Sequence, residues 1–112
     1  MKSTLKTIIV SFFLSLMLFS CGNANEKTVS FTVYGNCGMC KETIEKSLAK
    51  EEIYSANWDK QTKLITVAFD SLLITKSTIA TMIANAGYDN EFATAPTEVY
   101  NELHMCCQYE RP

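Results

Sequence analysis

The run Gly35-Asn36-Cys37-Gly38-Met39-Cys40-Lys41 puts two thiols three residues apart. It lies between a strand-like alternation of Val29, Phe31 and Val33 and a helix-like stretch that begins at Lys41. A strand-to-helix turn leaves backbone N–H groups free and aims the positive end of the helix dipole at the side chains. Both favour thiolate over thiol. Thiolate is the form that binds soft metals and attacks disulfides. Two thiolates at this spacing grip a soft cation from opposite sides, an arrangement Cu(I) and Hg(II) accept and Mg or Ca does not. A redox couple is the other use of the same spacing. A second run, His104-Met105-Cys106-Cys107, holds four more soft-metal ligand types in a row.

The fifth cysteine has a different setting. Residues 1–20 carry Lys2 and Lys6 ahead of an apolar stretch from Ile8 to Phe19. That stretch is short for a bilayer span and suits an export signal. It ends in Leu18-Phe19-Ser20-Cys21-Gly22, which resembles the lipobox of bacterial lipoproteins. Cys21 is therefore expected to be lipidated and to become the mature N-terminus. The mature chain of 92 residues is one small domain with a limited core. Loss of Lys2 and Lys6 leaves eight basic against twelve acidic residues, a net charge of −4, which argues against nucleic acid as a partner.

The elements that must position the cysteines follow from periodicity. Residues 28–34 read as a strand, and residues 40–50 as an amphipathic helix with Ile44 and Leu48 one turn apart. Residues 53–59 and 63–70 read as two further strands joined by a turn at Asp59-Lys60-Gln61-Thr62. Their inward residues are Ala56 and Trp58, then Ile65, Val67 and Phe69. Residues 75–86 read as a second helix with Ile79, Met82, Ile83 and Ala86 on one face, capped by Thr75 or Ser77 and ended by Gly87. Residues 90–95 are expected to form a fourth strand, and Pro96 to open a third helix running to about Leu103. The order β-α-β-β-α-β predicts an α+β, ferredoxin-like sandwich: a four-stranded antiparallel sheet with two helices on one face, plus a short C-terminal helix. The expected divisions are a signal at 1–20, a tether at 21–27, a domain at 28–95 and a helix with a Cys-Cys tail at 96–112.

With the thiol pair placed on this pattern, the chain resembles the heavy-metal-associated domain family. That family includes copper chaperones, modules of copper-transporting ATPases and periplasmic mercury-binding proteins. The resemblance rests on Cys37-Gly38-Met39-Cys40, Ile53-x-x-Ala56-x-Trp58, Val67-x-Phe69-Asp70 and Ala86-Gly87-Tyr88. It implies that Cys37 and Cys40 are metal ligands and that Tyr88 lies beside the metal loop, shielding it. The family commonly braces the loop with a buried Met where this chain has Gly35, whereas Met39 sits between the cysteines. The tail lies beyond the family domain. A helix of about eight residues running back ~12 Å would return His104, Cys106 and Cys107 towards Cys37 as additional ligands. The bland alternatives are a structural disulfide from tail to domain, a separate weak site, or a decorative terminus. Lys41 adds positive charge near Cys40.

Three functions compete. The favoured one is non-enzymatic binding of a soft ion at the periplasm-facing cell envelope, for sequestration or for transfer to a metal transporter or other metal-accepting protein. Cu(I) leads, with Hg(II), Zn(II) and Ag(I) as alternatives. The second is a thiol–disulfide protein using Cys37 and Cys40; the chain is short for such a fold, and neither Pro96 nor Pro112 suits the proline that accompanies such dithiols. The third is a structural role with the cysteines oxidised, disfavoured because a disulfide between neighbours 106 and 107 closes a strained ring.

Overall fold

The structure is a computed structural model and describes residues 25–112; Cys21 and the expected export signal lie outside the described residues. Three strands, β1 (Glu26–Thr32), β2 (Ile53–Trp58) and β3 (Leu64–Asp70), form an antiparallel sheet in the order β1-β3-β2. Helices α1 (Gly38–Ser47) and α2 (Lys76–Asn85) follow β1 and β3; α3 (Thr97–Asn101) and a 3-10 turn (Met105–Cys107) make up the tail.

The period of two works as expected. Phe31 stands opposite Ile65, and Ile65 opposite Trp58, so one rung of the sheet carries three large apolar side chains. All three are buried, as are Val67 and Phe69 on the same strand. Ile44 from α1 and Leu48 just past its end join this cluster, with Ile79, Ala80 and Ile83 from α2. Each large side chain so buried contributes about 1.5–3 kcal/mol. The cluster fixes both helices against the sheet, and with them the turn between β1 and α1.

The turns also follow side-chain chemistry. Asp59 Oδ1 accepts the amides of Gln61 at 2.8 Å and Thr62 at 2.9 Å, and Lys63 then takes a left-handed φ of 64°. Thr75 caps α2 by accepting the Thr78 amide at 3.2 Å. Beyond its end Gly87 has φ 109°, and a Cβ there would lie 3.0 Å from a Leu103 methyl. Gly87 thus satisfies both a positive φ and the close approach of the tail.

Two expectations are corrected. Among the described residues there is no fourth strand at 90–95; only isolated bridges join Asn90 to Val33 and to Ala93. The Asn90 side chain donates to the Ala80 carbonyl at 2.9 Å and accepts the Phe92 amide at 3.1 Å, bending the chain back on itself where a strand would extend. The edge beside β1 is met by one short contact, in which Tyr34 donates to Asp89 at 2.9 Å and Glu91 donates to Thr32 at 3.0 Å. The third helix is also shorter than expected. It stops at Asn101, and the tail turns through the 3-10 segment instead of continuing to Leu103.

Candidate metal centre

Cys37 occupies the position just before α1, with extended backbone (φ −134°, ψ 177°). Its amide and that of Asn36 both donate to Cys40 Sγ at 3.4 Å. The Cys40 amide turns back towards the Cys37 sulfur, so the thiol pair caps its own helix. The two sulfurs lie 3.5 Å apart, with Cys40 fully buried. Beneath the loop, the brace is the Trp58 indole. Its ring atoms come within 3.1 Å of where a Gly35 Cβ would sit, and its Nε1–H donates to Val33 at 3.0 Å. Lys63 reaches up from its left-handed turn to donate to the Gly35 carbonyl at 2.6 Å. Gly35 therefore leaves room for Trp58, and the loop is pinned from below by an indole and an ammonium.

Lys41 does not serve the thiolates. Its ammonium donates to Glu45 at 2.8 Å, Asn57 at 2.7 Å and the Trp58 carbonyl at 2.9 Å. Its three donors are spent on tying α1 to the end of β2.

The tail brings two more sulfurs to the loop. Cys106 Sγ lies 3.2 Å from Cys37 Sγ, and Cys107 Sγ lies 3.7 Å from it. Cys106 and Cys107 are 3.8 Å apart. The sulfurs of Cys37, Cys40 and Cys107 all fall within 4.8 Å of one another. Cys107 is buried and Cys106 exposed, and all four cysteines are free thiols. Sulfurs on a tetrahedral metal with ~2.3 Å bonds stand about 3.8 Å apart, so these separations are already close to those of a thiolate-bound ion.

A clamp holds the tail there. Tyr109 is 2% exposed; its hydroxyl donates to the Gly87 carbonyl at 2.9 Å and accepts the Asp89 amide at 2.7 Å. Arg111 grips both Asp89 carboxylate oxygens, at 2.7 and 2.8 Å, and the Ala95 carbonyl at 2.7 Å. Tyr100 donates to the Tyr109 carbonyl at 2.6 Å. Sequence reasoning missed Asp89, Tyr109 and Arg111. The available signal was a tyrosine and an arginine just past the cysteine pair, in a tail otherwise assigned no structure.

The surroundings sort the thiols. The Cys106 thiol, and then the Cys40 amide, stabilise the Cys37 thiolate and lower its pKa from 9.0 to about 6. Burial pushes the Cys107 thiol well up, and the neighbouring Cys40 sulfur adds to the effect. Cys106 is also raised, because its proton is shared with Cys37. Around Cys37, the Cys106 and Cys107 thiols thus hold their protons more tightly and would release them to a bound cation.

The remaining expected residues divide. Tyr88 is fully buried, with its hydroxyl unpartnered; burial, then Cys107 and Cys40, raise its pKa. Its ring stacks on Tyr109 at 5.9 Å. Met39 is 46% exposed with its sulfur 3.6 Å from Cys106 Sγ. His104 is exposed and stands outside the group of converging ligand atoms. Its backbone, not its ring, serves the site: the carbonyl accepts the Cys107 amide at 2.7 Å and tightens the 3-10 turn.

A small α+β domain with clustered thiols on the turn after its first strand defines a soft-metal-binding class of protein. Residues 35–89 match the Heavy-metal-associated domain family. Among solved structures, a CopZ metallochaperone is 26% identical with a TM-score of 0.55, over 57% of this chain and 98% of its own. Oxidized MerP from Ralstonia metallidurans CH34 is also 26% identical with a TM-score of 0.55, over 59% of this chain and 94% of its own. No curated protein matches the chain. The match to the family ends at residue 89, so Cys106, Cys107 and the Tyr109–Arg111 clamp lie beyond it.

Proposed function

We propose that this protein is a lipid-anchored carrier of the cell envelope that holds Cu(I) on Cys37, Cys40 and Cys107 and passes it to a metal-accepting protein. It is not an enzyme on this reading; the ion is its cargo. The observation that carries the proposal is the convergence of these three sulfurs within 4.8 Å from two segments some seventy residues apart. Three soft anionic donors favour Cu(I), Ag(I) or Hg(II) over hard ions. Likeness to a metallochaperone puts Cu(I) first. Zn(II) would require a fourth ligand, which Cys106 supplies and the exposed His104 does not. Three-coordinate binding is tighter and slower to release than a bare dithiol, which suits storage or guarded transfer more than rapid relay. The Cys loop follows the last residue of β1, whereas the tether leads into its first, Glu26. A lipid on Cys21 would therefore hold the centre on the side of the domain away from the membrane.

The test is an anaerobic Cu(I) titration against a competing chelator, with X-ray absorption of the loaded protein. Cys37→Ser or Cys40→Ser is expected to abolish tight binding with the fold intact. Cys107→Ser is expected to lower the sulfur coordination number and to weaken binding. Unchanged affinity in the first two variants would refute the site, and an unchanged coordination number in Cys107→Ser would reduce it to a plain dithiol.

A further inference from the structure

The three-thiol centre leaves two sulfurs facing outward. Cys106 Sγ and Met39 Sδ lie 3.6 Å apart, and both residues are open to solvent. An exposed methionine is ordinarily without consequence. Here its sulfur touches a thiol that itself lies 3.2 Å from Cys37. Cys37 is the hub of the cluster, with Cys106 at 3.2 Å, Cys40 at 3.5 Å and Cys107 at 3.7 Å. A thiolate sulfur has lone pairs enough for two metal ions, and one that touches both the buried Cys40 and Cys107 and the exposed Cys106 is placed to bridge them.

We propose that Met39 and Cys106, sharing Cys37 as a bridging thiolate, form a second, outer site for a soft monovalent ion, so that the centre holds two Cu(I) ions. This rests on the soft-metal reading of the inner centre. The thioether is soft and neutral, which suits Cu(I) or Ag(I) and gives Zn(II) little. Occupying the outer site displaces the Cys106 proton to solvent; no electron moves, and the thiolates balance the added positive charge. Because the outer donors are exposed and the inner ones buried, an ion captured on Met39 and Cys106 reaches Cys40 and Cys107 by exchanging ligands across Cys37.

The full reduced chain, titrated anaerobically with Cu(I) and read by native mass spectrometry and X-ray absorption, tests this. The expected result is two ions in a monomer, with a copper–copper scattering shell. Met39→Leu preserves side-chain volume and removes the sulfur. It is expected to weaken the second ion by about tenfold or more while leaving the first unchanged. Saturation at one ion, a second ion fully retained in Met39→Leu, or a second ion that appears only with dimerisation would each overturn the outer site. Binding of no ion at all would instead overturn the inner centre, so the two failures are distinct.

Discussion

At the scale of single residues, the centre rests on unequal thiols. Cys37 is held as thiolate because its neighbours donate to it, and its pKa falls to about 6 against an ordinary 9.0. A lowered folded value stabilises the fold fully above the ordinary pKa, and that stabilisation is lost as pH falls through the folded one. For Cys37 the window is pH 9 down to about 6. Alkylation of the apo protein should therefore select Cys37 at neutral pH, with a rate that drops on acidification through about pH 6. A rate still rising at pH 9 would contradict this. Tyr88 presents the converse case, a buried hydroxyl with no partner. Such a group costs about 1–3 kcal/mol when unsatisfied. Tyr88→Phe should leave apo stability unchanged or slightly raised. Because metal-bound thiolates are better acceptors than thiols, the same change should speed ion loss to a chelator. Equal loss rates in parent and variant would make Tyr88 a packing residue alone.

The decisive element is the tail. Its 3-10 turn carries the cysteines, but the residues after that turn keep it in place. Tyr109 satisfies two backbone groups at the end of α2, and Arg111 neutralises Asp89, which is buried. Burial alone would disfavour the Asp89 carboxylate; the Arg111 guanidinium and the Ala95 amide outweigh it and hold the pKa below the usual range. The clamp's electrostatic contribution is thus present above an unfolded carboxylate pKa near 3.8 and is lost as pH falls below it. Tyr109→Phe removes a donor and orphans the Asp89 amide, at a cost of about 1–3 kcal/mol. Tyr109→Phe and Arg111→Ala should both make Cys107 react faster with a thiol reagent, while Trp58 fluorescence reports an intact domain. Unchanged Cys107 reactivity in both would mean that the cysteines hold the tail without the clamp.

For the whole molecule, the sheet has its two ends in different roles. Residues after the tether pair at one end, where Glu26 stands opposite Asp70, and the sulfurs gather at the other, beyond Thr32. If Cys21 is the anchor, as its lipobox-like setting predicts, mass spectrometry of the protein from membranes should find residues 1–20 removed and Cys21 acylated. A free Cys21 thiol, or cleavage elsewhere, would refute the anchor without touching the metal centre. On the proposed function the tail would also limit handover: with Cys40 and Cys107 buried, an accepting protein would meet the exposed Cys106 and Met39 first, unless the tail lifts.

What the sequence determined by itself was most of what depends on local period, the strand expected at 90–95 excepted. Alternation placed Phe31, Ile65 and Val67 inward, spacing by turns placed Ile44 and Ile83, and a strand followed by a helix put Cys37 and Cys40 on the connecting turn. These survive because neighbours along the chain dictate them. Element ends shifted by a residue or two, since caps, not periods, decide them: α1 starts at Gly38 because the thiols cap it. The approach of Cys107 to Cys37 is different in kind. It depends on the chain bend at Asn90, on Leu103 fitting against Gly87, and on Tyr109 and Arg111 closing over Asp89. No local pattern encodes the sum of those turns. The same geometry left His104 outside while admitting Cys107, because a 3-10 turn sends nearby side chains in different directions. Tertiary structure alone decided which sulfurs meet, since that meeting is a property of the closed chain.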